Sequence, residues 1–398
     1  MSLFSDVPLA PRDPILGLTE AFLADPNPGK VNLGVGVYQD ETGKLPLLGC
    51  VREAENRLAA TPRPRGYLPI DGMATYDADV KALVFGEDSA AVAEGRVVTV
   101  QALGGTGALK IGADFLRRVN PDATVLISDP SWENHQALFE RAGFTVATYR
   151  YYDEAARGVD VAGMVADLRA AAPGTIVVLH ACCHNPTGYD LTPADWQHVL
   201  DAVRDAGLVP FLDMAYQGFA DGLAEDGAVV RTFAESGLTC FVATSFSKSF
   251  SLYGERVGAL SIVCADAAEA ARVLSQVKIV VRTNFSNPPT QGAAIVATVL
   301  GDPELRAQWE TELGGMRDRI KAMRRRLVEG LAAAGVEQDL SFITRQVGMF
   351  SYSGLTKDQM VALREQHGVY GTDKGRICVA ALNEGNIDRV SAAIAAVL

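Results

Sequence analysis

The chain has 398 residues, 48% hydrophobic and 21% charged, an ordinary globular composition with length for about two or three domains. Its 36 Lys and Arg against 48 Asp and Glu give a net charge of −12, which argues against nucleic acid or an anionic membrane as partner. No apolar run approaches the roughly 20 residues needed to span a bilayer. Residues 1–11 lack the basic-then-apolar pattern of a secretory signal. The six cysteines include an adjacent pair, Cys182 and Cys183, but no CxxC spacing. They read as free, mostly buried thiols in a reducing cytoplasm, and no metal site is expected.

In chain order, short β-rich runs alternate with amphipathic stretches. Strands are expected at 97–101, 124–128, 145–150, 175–180, 209–213, 240–245 and 258–263. Helical patterns lie between them at 107–118, 132–142, 193–206 and 266–281. Strand–helix alternation implies parallel pairing under helices on both faces, and runs such as Thr175-Ile176-Val177-Val178-Leu179 suit two-sided burial. Ligands of such sheets bind where loops leave the C-terminal strand ends. From Pro303 a long charged helix runs through Arg326, and a smaller α+β segment follows. The expected division is a large domain over 46–315 and a small one from 1–45 and 316–398.

Five stretches carry the chemistry. In Ser245-Phe246-Ser247-Lys248, running on to Arg256, one amine follows an apolar strand among hydroxyls and a guanidinium. A lysine there is either a solvated loop residue or, with its pKa lowered, a Schiff-base former. Ser and Arg are what a phosphate monoester requires. Gly104-Gly105-Thr106-Gly107 links a strand to a helix start, either as a plain turn or as bare amides for a phosphate. It matches neither GxGxxG nor the P-loop, so it suits one phosphate better than a dinucleotide. Asp213 ends an apolar strand, as a capping or turn aspartate or as the carboxylate that keeps a pyridine nitrogen protonated. Tyr216 lies close enough in sequence to bring a phenol to the same ring. Asn185, in His184-Asn185-Pro186-Thr187-Gly188, follows a buried strand and has a donor for a ring oxygen, whereas His184 reads as a packing or hydrogen-bonded histidine. Trp132, after Asp129-Pro130-Ser131, is either core or a ring stacked on a flat cofactor.

Together these stretches resemble the class I aminotransferases of the aspartate and aromatic amino acid group. The resemblance extends over Asp13-Pro14-Ile15-Leu16, Asn32 through Tyr38, Tyr67 through Gly72, Arg282 through Pro289 and Gly375-Arg376, in family order and spacing. It implies a fold type I enzyme dependent on pyridoxal phosphate. Its large domain is built on a mostly parallel seven-stranded sheet, its small domain comes from both chain ends, and a homodimer shares the active sites. Lys248 takes the position of the Schiff-base lysine, Asp213 that of the pyridinium partner, and Tyr216 and Asn185 those of the ring-oxygen partners. Trp132 takes the stacking position. Gly105, Thr106, Ser245, Ser247 and Arg256 fall on the phosphate cup, which Tyr67 reaches from the other subunit. Arg376 matches the residue that grips the substrate α-carboxylate. Arg282, from the neighbouring subunit, matches the one that pairs with a side-chain carboxylate, and Gly36 lies where the substrate is covered. Pro130 and Pro186 are expected to follow cis peptide bonds.

Within the family the stretches look most like the bacterial aromatic-amino-acid (tyrosine) branch, whose members resemble dual-substrate enzymes. The expected activity moves the amino group of Phe and Tyr, and of Asp and Glu, to 2-oxoglutarate with ping-pong kinetics. Leu45 is a candidate for lining the aromatic pocket. Thr106 and Asn287 look more like the aspartate branch, so an aspartate aminotransferase with little aromatic activity is the alternative. A pyridoxal-phosphate lyase would leave Arg282 unused. A regulator would need a DNA-binding segment longer than residues 1–12, and the spacing of Gly104–Gly107 disfavours a nicotinamide dehydrogenase.

Overall fold

A computed structural model describes residues 2–10 and 16–398; Asp13, Pro14 and Ile15 of the N-terminal resemblance stretch lie outside them. The chain divides into two compact units. The larger comprises Leu45–Lys321 with Arg345–Gly348, and the smaller Met1–Lys44, Ala322–Thr344 and Met349–Leu398.

The larger unit is organised by a seven-stranded sheet of β1 (Val97–Leu103), β2 (Thr124–Asp129), β3 (Thr145–Arg150), β4 (Ile176–His180), β5 (Val209–Met214), β6 (Cys240–Ser245) and β7 (Val257–Val263). Their spatial order is β1-β7-β6-β5-β4-β2-β3. All neighbours run parallel except β7, which is antiparallel to both β1 and β6. The apolar runs behave as two-sided burial requires. Val98, Val100, Val125, Ile127, Ile176, Val178, Phe211, Phe241 and Leu260 enter one continuous core, while Val177, Leu179, Leu212 and Val242 on alternate positions are also buried. Strand β3 is the exception. It lies at the sheet edge and leaves Thr145, Ala147 and Thr148 exposed.

The helices covering this sheet are α1 (Ala74–Phe85), α2 (Gly104–Val119), α3 (Glu133–Arg141), α4 (Pro193–Asp205) and α5 (Ala267–Asn284), followed by α6 (Pro303–Ala333). Local chemistry sets their starts. Thr192 and Asp195 form a reciprocal capping box with Pro193 in the first turn of α4, and Asp266 accepts from the Glu269 amide to begin α5. Helix α2 begins at Gly104, three residues before the periodic pattern predicts, because Gly104 takes φ +68° and turns the chain directly out of β1. Close approach holds α2 down: a Cβ on Gly112 would lie 2.5 Å from the Phe211 ring. No helix among the described residues is long and apolar enough to cross a membrane. All six cysteines are free and buried.

One buried group on α1 makes stability depend on pH. Burial, and next the charge of Asp71, push the Asp77 carboxyl up to about 8. Its folded pKa lies above the unfolded one, so the folded state binds the extra proton. Stability is fully present below the unfolded value near 3.8 and falls as pH rises toward 8. The expected result is that Asp77→Asn melts above the native protein by a margin that is larger at pH ~8.5 than at pH ~5. Scanning calorimetry at both pH values checks this, and a margin independent of pH contradicts it.

The smaller unit pairs Phe350–Tyr352 with Arg376–Cys378 antiparallel, and Val31–Asn32 with Val369–Tyr370 parallel. Helices Lys357–His367 and Ile387–Val397 pack with these strands around Met360, Leu363, Ile377, Val390 and Ile394.

Candidate active site

Parallel register places the first element of the site. His180 on β4 lies directly opposite Asp213 on β5, at the C-terminal ends of both strands. Asp213 is 5% exposed, and its Oδ2 accepts from His135 Nε2 at 2.9 Å. His135 is buried at the start of α3, where its Nδ1 pairs with Ser131 Oγ at 3.0 Å. The ligand atoms of His135, His180 and Asp213 lie within 4.8 Å of one another. Burial drives the Asp213 carboxyl up. The hydrogen bond from His135 and the fields of His135, His180 and Lys248 outweigh it, and the carboxyl is held below its ordinary value. The same burial, reinforced by neighbouring histidines, lowers His180 well below the usual histidine range.

Lys248 follows β6, and its Nζ sits 4.7 Å from the centroid of the buried Tyr216 ring. Asn185 is buried in the loop leaving β4, where its bond to Pro186 is cis; the Asp129-Pro130 bond at the end of β2 is cis as well. Asp190 pins this loop, accepting from the amides of Cys183 (2.6 Å) and His184 (2.8 Å). His184 is the hydrogen-bonded packing residue expected from sequence, held by Ser128 Oγ at 2.9 Å and Thr187 Oγ1 at 2.8 Å. Trp132 is half-buried and meets the His135 ring edge-on at 5.3 Å.

A second group of residues forms an anion cup. Arg256 Nη1 donates to Ser247 Oγ at 3.3 Å, and the Ser247 amide donates to Ser245 Oγ at 3.3 Å. The glycine turn completes the cup. A Cβ on Gly104 would lie 2.6 Å from Arg256 Nη2, and one on Gly105 would lie 3.2 Å from Ser245 Cβ. Beneath the turn, a Cβ on Gly258 would strike the Gly104 carbonyl carbon at 2.5 Å. Bare backbone is therefore required at Gly258 and favoured at Gly104 by its φ of +68°, while a side chain at Gly105 would be tight; the amides that open α2, with Thr106 exposed among them, lie beside hydroxyls and a guanidinium. A cradle for one phosphate, a charged carboxylate with a histidine behind it and an amine over a phenol together fit pyridoxal phosphate.

The remaining expected residues lie elsewhere. Tyr67 is 93% exposed. Arg282 is exposed in the last turn of α5, where its Nη1 donates to Ser286 Oγ. Asn287 Nδ2 donates to the same Ser286 hydroxyl at 3.3 Å. Leu45 is 45% exposed. In the smaller unit Arg376 is buried, with Nη2 donating to Gly34 O at 2.9 Å and its guanidinium 4.3 Å from the Phe350 ring centroid. A Cβ on Gly36 would lie 2.5 Å from the same Phe350 ring. Sequence reasoning missed His135 and His180 as companions of Asp213. His135 lies 78 residues from Asp213, and only the strand register joins His180 to it.

Comparison with known proteins agrees with this geometry. The family described as aminotransferase class I and II matches residues 28–394. An aspartate aminotransferase from Pseudomonas aeruginosa is 63% identical with both chains fully covered. The aromatic-amino-acid aminotransferase of Escherichia coli is 49% identical, again with both chains fully covered. A crystal structure of an aromatic-amino-acid aminotransferase from Burkholderia pseudomallei, covalently bound to pyridoxal phosphate, superposes with a TM-score of 0.98 at 65% identity and full coverage of both chains. This chain belongs to the class I and II aminotransferases and is a pyridoxal-phosphate-dependent enzyme of that family.

Proposed function

We propose that the enzyme transfers the amino group of phenylalanine and tyrosine, and also of aspartate and glutamate, to 2-oxoglutarate in a ping-pong cycle. The observation that carries dual specificity is the state of Arg282. Its guanidinium is exposed, tethered to a hydroxyl four residues on, and forms no ion pair among the described residues. An arginine so placed pairs bidentately with an acidic side chain and swings aside for an aromatic one. Relatives of both kinds support the same reading, since the Pseudomonas aeruginosa relative is named for aspartate and the Burkholderia pseudomallei one for aromatic amino acids.

The chain's own residues divide the work. Ser245, Ser247, Arg256 and the amides of Gly105 and Thr106 hold the cofactor phosphate. Asp213 keeps the ring nitrogen protonated, Asn185 and Tyr216 hold the ring oxygen, and Trp132 stacks on the ring. Pyridoxal phosphate supplies the electron sink for the carbanion at the substrate Cα. Lys248 carries the cofactor covalently. With the cofactor bound, its Nζ would be placed to move the substrate Cα proton, acting first as base and then as acid. Arg376 grips the α-carboxylate, and Gly36, whose bare backbone lies against the Phe350 ring, covers the substrate. We further propose a cytoplasmic homodimer in which Tyr67 and Arg282 of each copy serve the other's site. The exposure of both side chains supports this arrangement, and six free thiols suit a reducing compartment.

The test is kcat/KM for phenylalanine and for aspartate, each with 2-oxoglutarate. Values within about tenfold, or about 1.4 kcal/mol of transition-state binding, support dual specificity. A preference for aspartate by hundreds-fold selects the alternative, an aspartate aminotransferase with little aromatic activity, with Thr106 and Asn287 as the informative residues. Arg282→Leu is expected to cost aspartate about 2–5 kcal/mol in kcat/KM, as loss of a buried charge pair does. Phenylalanine should change by less than about tenfold. Equal losses for both substrates would remove Arg282 from substrate selection.

A further inference from the structure

A cavity of about 660 Å³ opens on the larger unit beside α1, β1 and the start of α5. That volume is in the range of small-molecule sites. Its floor is apolar and finely divided: Val92, Val97, Val98 and Leu274 line it, and alanines on α1 and α5 leave the space open. Four charged residues face it, Asp71, Asp77, Lys81 and Glu87. Two are already committed, Asp71 to Lys278 at 2.9 Å and Glu87 to Arg306 at 3.4 Å. Asp77 and Lys81, one helical turn apart on α1, have no ion pair among the described residues and form none with each other. Asp77 is 8% exposed, and its Oδ1 is buried with no hydrogen-bond partner. The Asp77 side chain thus lines the cavity with its Oδ1 answered by no protein donor among the described residues.

We propose that this cavity is a second binding site, separate from the chemistry at Lys248, for a free α-amino acid with an apolar side chain. Its ammonium group donates to Asp77, its carboxylate pairs with Lys81, and its side chain covers Val92, Val97, Val98 and Leu274. The charge pattern selects the class of ligand. A simple amine leaves Lys81 unmatched, a simple carboxylate faces Asp71 and Glu87 and brings Asp77 no donor, and a zwitterion answers both uncommitted groups. Binding also displaces a proton. Burial and the Asp71 charge hold Asp77 mostly neutral at neutral pH, while Lys81 and Lys278 act in the opposite direction. An arriving ammonium stabilises the carboxylate and releases that proton to buffer.

The experiment is calorimetric titration of the pyridoxal-phosphate-loaded enzyme with L-leucine near neutral pH. It is run in two buffers of different ionisation enthalpy, with the visible absorption of the cofactor followed in parallel. The expected result is a class of sites that leaves the cofactor spectrum unchanged and releases a proton on binding. Asp77→Asn and, separately, Lys81→Met should each weaken that class by about tenfold or more. Turnover and any binding seen in the cofactor spectrum should stay as in the native enzyme. The proposal is overturned if the spectroscopically silent class is missing, or if it persists undiminished in both variants. Binding of isoamylamine as tight as that of leucine, and indifferent to Lys81→Met, would also overturn it.

Discussion

Lys248→Ala is expected to lower kcat by about 10⁴-fold or more while the protein keeps its fold and still binds cofactor. In the proposed cycle the residue has two duties, covalent carriage of the cofactor and proton transfer at the substrate Cα. Positioned proton transfer alone contributes roughly 10²–10⁴-fold, and alanine removes it together with the covalent link. Binding survives because the phosphate cup of Ser245, Ser247, Arg256 and the α2 amides does not include the amine. The measurement is steady-state turnover beside cofactor retention after gel filtration. Near-native turnover would remove Lys248 from the chemistry. Lost turnover together with lost cofactor would instead make it chiefly an anchor.

Asp213→Asn is expected to lower kcat by about 10³-fold, equivalent to about 4 kcal/mol at the transition state. The amide keeps the shape and loses the charge that, in the proposed function, holds the ring nitrogen protonated. His135 is what lets a carboxylate this deeply buried stay charged. Burial raises the Asp213 pKa, and the His135 hydrogen bond is the largest opposing influence. The sign follows: Asp213 is depressed, so its charge persists through neutral pH and is lost only in acid. Removing His135 leaves the burial penalty uncompensated. His135→Asn is therefore expected to move the acid limb of the kcat–pH profile toward neutral pH, with activity largely recovered on the alkaline side. An unmoved acid limb in His135→Asn would leave the histidine a packing role only. A loss in Asp213→Asn of less than about tenfold would mean the ring nitrogen needs no charged partner.

The strands were legible because burial on both faces of a parallel sheet demands apolar runs. Thr145–Arg150 and Cys240–Ser245 fall at their expected bounds, and the others differ by one or two residues at an end. The start of α2 was less legible, since helical periodicity begins only where side chains pack, and Gly104 and Gly105 pack as bare backbone. The change of unit near Lys321 leaves no mark in the sequence because α6 runs unbroken through it. The same holds for Arg345–Gly348, which is claimed by the larger unit. There Val347 donates to Gly188 O at 2.7 Å, and a Cβ on Gly348 would lie 2.5 Å from Cys183 Cβ.

What the amino-acid sequence determined by itself was the local chemistry. It placed a lysine after an apolar strand, an aspartate at a strand end, a glycine turn before a helix, and Ser and Arg spaced for a phosphate. Each of these depends on neighbours in the chain, so each can be read along it. The tertiary structure decided which groups meet. Register between β4 and β5 set His180 beside Asp213, and packing of α3 brought His135 to the same carboxylate from 78 residues away. Packing of α1 beside β1 and α5 left Asp77 buried with an unsatisfied oxygen at the edge of a cavity. The balance that keeps Asp213 charged and Asp77 largely neutral depends on desolvation and on charges distant in sequence, quantities that exist only once the chain is folded.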